Sequence, residues 1–442
     1  MSKPICLITA PVATRSGYGA HSRDICRALI KLDKYDIKIW NVRWGNTPMN
    51  ALNKDDPNDK LLIDKILTSP ELPRQPELHI HIVIPNEFNP MGKYNIGITA
   101  GLEMTACPPK WVEGMNKMNM NIVPSNFVKD TMTSIVFDIT DDKTKQKKGE
   151  LKSEKPIEVL FEGTDTNIFK KTNEFSKLLV DEMKNVDETF NFLYTGHWLQ
   201  GDLGKDRKDT GMLIKVFLET FKNMKKQPGL IMKTSGATFS VLDRELMLDK
   251  INIIKKTIEG NLPNIYLLHG DFTDDEMNDL YNHPKVKAHI NLTHGEGFGR
   301  PLLEASISQK PVIASNWSGH LDFLHKDLAI LLGGSLQNVE RGSVPDDYMV
   351  DGTQWFTVNY QQASAVMKDV YKSYKKYTLN AKKLGIINKS KFSLDAMTRD
   401  LGKILDKYVP EFPKEVKLEL PKLKKVGSTE LPKIKLPKLK KV

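Results

Sequence analysis

Two carboxylates eight residues apart, Glu296 and Glu304, bracket a glycine-rich turn, Gly295-Glu296-Gly297-Phe298-Gly299. The apolar run Ala288–Leu292 precedes the turn and has the length of a short buried strand. Pro301 follows it and begins a helix, where a missing N–H costs nothing and the fixed φ is already helical. Strand, glycine turn and helix start together make an anion site, because unpaired N–H groups point outward and the helix dipole favours negative charge. Carboxylates repel a bare phosphate, yet they accept hydrogen bonds from hydroxyls. The combination fits a ligand with phosphate in the middle and hydroxyl-rich rings at both ends. That describes a nucleotide-sugar, with one Glu for the transferred sugar and one for the ribose; Glu304 falls in the first helical turn. For such a pair taken alone, the bland alternative is a surface loop with two solvated acids.

The whole string weakens that alternative. GEGFGRPLLEAS, followed by KPVIAS and WSGH, resembles the signature of the retaining glycosyltransferases of the group-1 (family 4) type, whose E-x7-E pair matches Glu296 and Glu304. The resemblance covers roughly the first nine-tenths of the chain. It implies the GT-B fold, an α/β architecture of two Rossmann-like domains facing across a cleft. It also implies a nucleotide-diphosphate sugar as donor substrate, retention of anomeric configuration, no cofactor and no metal. By that resemblance Glu296 would bind the donor sugar and Glu304 the ribose, while backbone amides of Gly297, Phe298 and Gly299 would hold the diphosphate. Family members add a basic pair after a glycine at a strand end, here Gly196. Arg often stands directly after that glycine; this chain has His197, so the cations fall to Arg207 and Lys208. Fixed cations act most strongly in the transition state, where the leaving nucleotide gains charge. Arg offers phosphate a bidentate fork and Lys a point charge. Lys233 is a further candidate on the nucleotide side. Trp317-Ser318-Gly319-His320 forms a second glycine turn bordering the donor cleft, with Gly319 in a backbone role.

The elements that would position these residues alternate along the chain. Ile5–Thr9 reads as a strand that feeds a loop with Gly17 and Gly19, then a helix over about Ser22–Leu32. The third glycine of a dinucleotide fingerprint is replaced, and the second strand, Asp36–Val42, ends without an acid, which argues against a nicotinamide site. In the resembled family this loop lies against the donor phosphates and the acceptor, so Gly17 and Gly19 are carried over; a tight turn is the alternative. Residues 46–76 read as an irregular polar insertion. Glu103 occupies the place where many relatives carry a histidine near the acceptor, and a helix-capping loop acid is its alternative. Asp141–Lys155 reads as a charged, flexible loop. Glu162-Gly163-Thr164-Asp165-Thr166-Asn167-Ile168-Phe169 resembles the family's "eGvDtxxF" segment at the end of the first domain, with a linker over about Lys170–Glu188. Strands follow near 190–195, 230–234, 265–269, 288–292, 312–314 and 329–332, with helices between them, which argues for a parallel sheet covered on both faces. Residues 355–408 read as helices that cross back onto the first domain. The expected division is 1–175, 176–360, the crossing helices 361–410 and a tail, 411–442.

Charge belongs mostly to that tail. The chain of 442 residues carries a net +10, but Pro413–Val442 holds ten Lys against three Glu, a net of +7 that leaves the body at +3. The tail repeats a Glu-Leu-Pro-Lys pattern, and its prolines oppose a helix, so it reads as disordered or extended. Its charge suits a polyanion or an acidic membrane surface as partner, or a solvated spacer. Cys6, Cys26 and Cys107 lack metal-ligand spacing and read as reduced thiols in a cytoplasmic protein. No run approaches about 18 consecutive apolar residues, and the N-terminus reads as a first strand. Besides transfer to a glycan, lipid or protein, two alternatives stay open: transfer to modified bases of DNA, and sugar binding without catalysis.

Overall fold

The computed structural model describes residues 3–413 apart from 70, 142, 237, 346 and 347. The Lys/Pro repeats expected to be a disordered tail lie at 414–442, outside the described residues. Two six-stranded sheets carry the body of the chain. The first contains Ile5–Ala10 (β1), Asp36–Asn41 (β2), Leu78–Ile82 (β3), Tyr94–Ile98 (β4) and Met120–Val123 (β5). A hairpin, Val136–Thr140 (β6) and Lys147–Lys152 (β7), then precedes the last strand, Ile157–Val159 (β8). The order is β2-β1-β3-β4-β5-β8, and neighbours run parallel, with Cys6 opposite both Ile37 and Leu78. The second sheet contains Asn191–His197 (β9), Gly229–Ser235 (β10), Ile265–Leu268 (β11), Val286–Asn291 (β12), Val312–Ser315 (β13) and Ile330–Leu332 (β14). Its order is β11-β10-β9-β12-β13-β14, also parallel. Strands buried along their whole length, such as β1, suit sheets with helices on both faces.

Local capping moves several boundaries. The first helix starts at Gly17 rather than Ser22, because the Ser16 hydroxyl accepts the Gly19 amide at 2.9 Å and caps it there. The polar insertion 46–76 contains a helix, Pro57–Ile63, opened by an Asp56 cap and a proline in its first turn. The linker region contains a helix too, Lys177–Met183, capped by Ser176. The segment expected as a flexible charged loop is one arm of an antiparallel hairpin, with β6 paired to β7. Lys147 pairs with Asp138 across that hairpin and with Glu150 of its own strand, and Lys148 pairs with Asp141. Trp355, placed in a helix from sequence, belongs to a strand, Gln354–Val358 (β16), that pairs antiparallel with Gly334–Asn338 (β15).

The last helices divide between the two sheets. Lys375–Lys391 packs on the helix Arg300–Ile307 of the second lobe, its Asn388 donating to the Ser306 hydroxyl at 2.8 Å. Leu394–Tyr408 instead sends Met397, Leu401 and Leu405 into the core of the first. The backbone therefore passes between the lobes twice, and the two passages are bonded: Thr164 N–H to the Phe392 carbonyl and Leu394 N–H to the Thr164 carbonyl, both at 2.9 Å. A Cβ on Gly163 would lie 2.8 Å from Leu394 Cα and 2.9 Å from Met397 Cβ. Gly163→Ala is therefore expected to destabilise the fold by about 1–3 kcal/mol, the usual cost of overpacking. An unchanged urea midpoint would show that the double crossing has slack.

Candidate functional site

The carboxyl ends of both sheets face one cleft of about 710 Å³. Its walls come from the loops after β1, β2, β4 and β8 on one side and β9 to β12 on the other, the crevice position where open parallel sheets bind ligands. Of the residues singled out from sequence, Gly17, Glu103, His197, Arg207, Lys208, Lys233, Glu296, Gly297, Phe298 and Gly299 line this cleft. Gly19, Glu304 and Gly319 stand behind its wall.

Charge is matched across the cleft. Lys208 pairs with Glu296, and Arg207 pairs with Glu103 from the opposite lobe. Burial pushes the Glu296 carboxyl up, but Lys208 and Arg207 outweigh it and hold the group below the usual carboxylate range. Burial and then Arg207 pull Lys208 below its ordinary value, against the opposite pull of Glu296. A second anion beside Lys208 would relieve that strain. His197 ends β9 and contacts the Ser235 hydroxyl at 3.2 Å; burial, with Arg207 and Lys233 beside it, brings it down to about 4. It is neutral at physiological pH and supplies no charge. Lys233 donates to the Gly270 carbonyl at 2.8 Å and lies over the Phe239 and Phe272 rings; burial lowers it to about 8.

The loop carrying Glu296 is clamped from behind. Ser318, at a positive φ of 81°, accepts the Glu296 amide at 2.9 Å, and the Gly319 amide donates to the Glu296 carbonyl at 2.9 Å. Gly319 thus fixes the loop without reaching the cleft; a Cβ there would meet the Gly297 carbonyl oxygen at 2.0 Å. The glycines of the turn answer to the protein as well as to any ligand, since a Cβ on Gly297 would lie 2.0 Å from the Ala100 carbonyl oxygen of the first lobe. Gly299 caps the following helix at φ 92°. Arg207 is fixed through its own carbonyl, which accepts the His294 amide at 3.1 Å, and His294 stacks on Trp355 at 4.2 Å. Gly19 has a packing role: a Cβ would lie 2.3 Å from the Thr14 carbonyl oxygen.

Glu304 differs from the sequence reading in two ways. The helix begins at Arg300, so Glu304 is its fifth residue, just past the first turn. Its carboxylate is also occupied: Arg300 Nε donates to it at 2.8 Å and the Tyr281 hydroxyl at 3.3 Å, while burial raises it to about 7. Arg300 is the residue that reaches the cleft, and its Nη1 donates to Asp24 of the opposite lobe at 2.5 Å.

Sequence reasoning passed over Arg300, Asp24, Glu162 and the Arg15–Asp271 pair, which joins two loops across the cleft at 3.0 Å. Arg300 and Glu162 both lie inside the quoted motifs; for Arg300, a charged residue at a helix start beside buried apolar runs was the available signal. Asp24 and Asp271 carried none. Among the described residues no three His, Cys, Asp or Glu are grouped as a metal site, and no helix is long and apolar enough to cross a membrane.

Arg300→Met should leave the buried Glu304 without a cation and Asp24 with Arg27 alone, at 3.5 Å, and cost about 3–5 kcal/mol of stability. Adding Asp24→Asn should return part of that loss in urea unfolding. Equal stabilities of wild type and the single variant would refute the buried bridge.

No family model matches the sequence, and no curated protein matches it. Solved structures do. HepE from Anabaena in complex with UDP and glucose superposes with a TM-score of 0.57 at 12% identity, over 91% of this chain and 100% of that one. Sucrose-phosphate synthase from Thermosynechococcus elongatus gives 0.59 at 13% identity, over 92% and 98%. The trehalose-6-phosphate synthase OtsA gives 0.57 at 11% identity, over 92% and 100%. With two parallel six-stranded sheets meeting at a cleft, the chain has the GT-B fold of nucleotide-sugar glycosyltransferases.

Proposed function

We propose that this chain is a glycosyltransferase that moves a sugar from a nucleotide-diphosphate sugar to an acceptor hydroxyl, with retention of anomeric configuration. The observation that carries the reading is the pairing of Lys208 with Glu296 beside Arg207 and the Gly297–Gly299 turn, all in one cleft. HepE, with the same fold, has been seen with UDP-glucose.

The chemistry follows from an exchange of partners. A diphosphate entering between Arg207, Lys208 and the turn amides competes with Glu103 and Glu296 for the two cations. A divalent anion spread over several oxygens wins that contest by charge and by bidentate contact with Arg207. Glu296, released from Lys208, is then free to accept hydroxyl hydrogen bonds from the transferred sugar. Glu304 acts at the ribose end. As the glycosidic bond breaks, negative charge grows on the leaving diphosphate, and Arg207 and Lys208 stabilise that charge in the transition state. Positive charge in this scheme comes from these side chains rather than from a divalent ion. Glu103, left by Arg207, faces the acceptor side.

Nucleotide diphosphates and their sugars should raise the melting temperature, since a ligand of the folded state alone stabilises it. Release of free sugar from the best donor should fall about 10²–10³-fold in Lys208→Ala, the range for loss of one preorganised donor. Glu296→Ala should abolish release while leaving the melting shift from the sugar-free nucleotide intact. Donor turnover that survives both substitutions would sink the proposal.

A further inference from the structure

The helix Lys375–Lys391 carries six lysines and no acidic residue. Residues 1–412 together hold a net +3, so without this helix the rest of that body is −3. The fold fixes which side of the helix faces out. Ala381, Leu384, Gly385 and Asn388 are buried, and a Cβ on Gly385 would lie 2.6 Å from the Ser306 carbonyl oxygen of the helix beneath. On the opposite side Lys375, Leu379, Lys382, Ile386 and Lys389 recur every three or four residues, which sets them in one line along the helix. Leu379 is 60% exposed and Ile386 54%. Lys376 pairs with Asp369; among the described residues the other five lysines meet no acid.

A single exposed leucine is ordinary, and a run of lysines by itself is a solvated face. Alternation of the two along one line is a different surface. Its lysines repel one another, and the protein supplies the stripe with no counter-charge. The matching partner is anionic, extended and receptive to aliphatic groups. From Lys375 to Lys389 the stripe runs about 21 Å, at 1.5 Å per residue. Nucleic-acid phosphates would engage the lysines and give Leu379 and Ile386 nothing. The interface of an anionic bilayer serves both, with phosphates on the lysines and the acyl boundary for the side chains between them. We propose that the outer face of Lys375–Lys391 docks on an anionic lipid bilayer, with Leu379 and Ile386 set among the headgroups. Residues 413–442 add a second stretch rich in lysine and leucine to the same chain, and stable membrane attachment takes two such signals.

The full chain is mixed with vesicles of phosphatidylcholine alone and of phosphatidylcholine with phosphatidylglycerol, and binding is read by flotation. Wild type should bind the mixed vesicles and not the neutral ones. The triple variant Lys382→Gln, Lys383→Gln, Lys389→Gln should bind about a hundredfold more weakly, the combined effect of three lysines at a charged surface. The double variant Leu379→Ser, Ile386→Ser should bind about tenfold more weakly and leave any affinity for duplex DNA unchanged. All five side chains are exposed and engage no partner, so both variants should unfold in urea at the wild-type midpoint. Because Cys6, Cys26 and Cys107 are buried, Leu379→Cys gives a polarity-sensitive dye one accessible thiol. Its emission should move to the blue on mixed vesicles. Vesicle binding with no change in emission would assign attachment to residues 413–442 alone and overturn the proposal. Equal binding by wild type and the lysine variant would do the same. So would tighter binding of wild type to duplex DNA than to mixed vesicles at the same salt.

Discussion

The cleft is governed by the cost of burying charge. Arg300, Lys208 and Glu296 are largely removed from water, and Arg207 keeps only 25% of its side chain exposed; an isolated ion so placed would cost several kcal/mol. Each is tolerated because an opposite charge is held against it, and two of those partners come from the other lobe: Asp24 for Arg300, Glu103 for Arg207. Neither half of the molecule is electrostatically complete alone. The same balance explains how a strongly anionic ligand would gain entry. It replaces carboxylates that are already present, so the buried cations never lack a counter-charge.

Placement of the charges depends on contacts that carry none. The Glu296 carboxylate is fixed because Ser318 and Gly319 hold its own amide and carbonyl. Arg207 is fixed through a backbone bond to His294, which rests on Trp355 of the antiparallel pair β15–β16. The Ser125 hydroxyl, from the first lobe, donates to the Gly297 carbonyl at 2.6 Å and ties the turn to the facing sheet. Preorganisation of this kind is what allows fixed dipoles and charges to act on a reacting group without reorganising.

The alternation of strands and helices was legible because runs buried on both faces, such as Ile5–Ala10 and Val312–Ser315, are apolar almost throughout. The glycine turn and its carboxylates were legible because they lie close together in sequence. What sequence could not show is pairing at a distance. Asp24 meets Arg300 across 276 positions, and nothing near either residue announces the other. Glu304 illustrates the same limit, since its spacing from Glu296 says nothing of the Arg300 side chain that stands before it. Strand β16 was missed because Trp355 and Phe356 sit beside a long helical stretch, and its partner β15 is exposed and polar, without the alternation that marks a strand. The hairpin β6–β7 was missed for a related reason: Lys147 and Lys148 meet Asp138 and Asp141 of the other arm, so a charged composition hid an ordered element.

The twin passage of the backbone at Thr164 and Phe392–Leu394 has a mechanical consequence. Two tethers joined side by side act like the knuckles of a door, permitting swing about one line while resisting twist and separation. Atoms beside that line barely travel during a swing, whereas those at the outer lip sweep the greatest arc. Thr164 lies at the knuckle, so the groups bonded to it would keep their place while the rest of the mouth gapes.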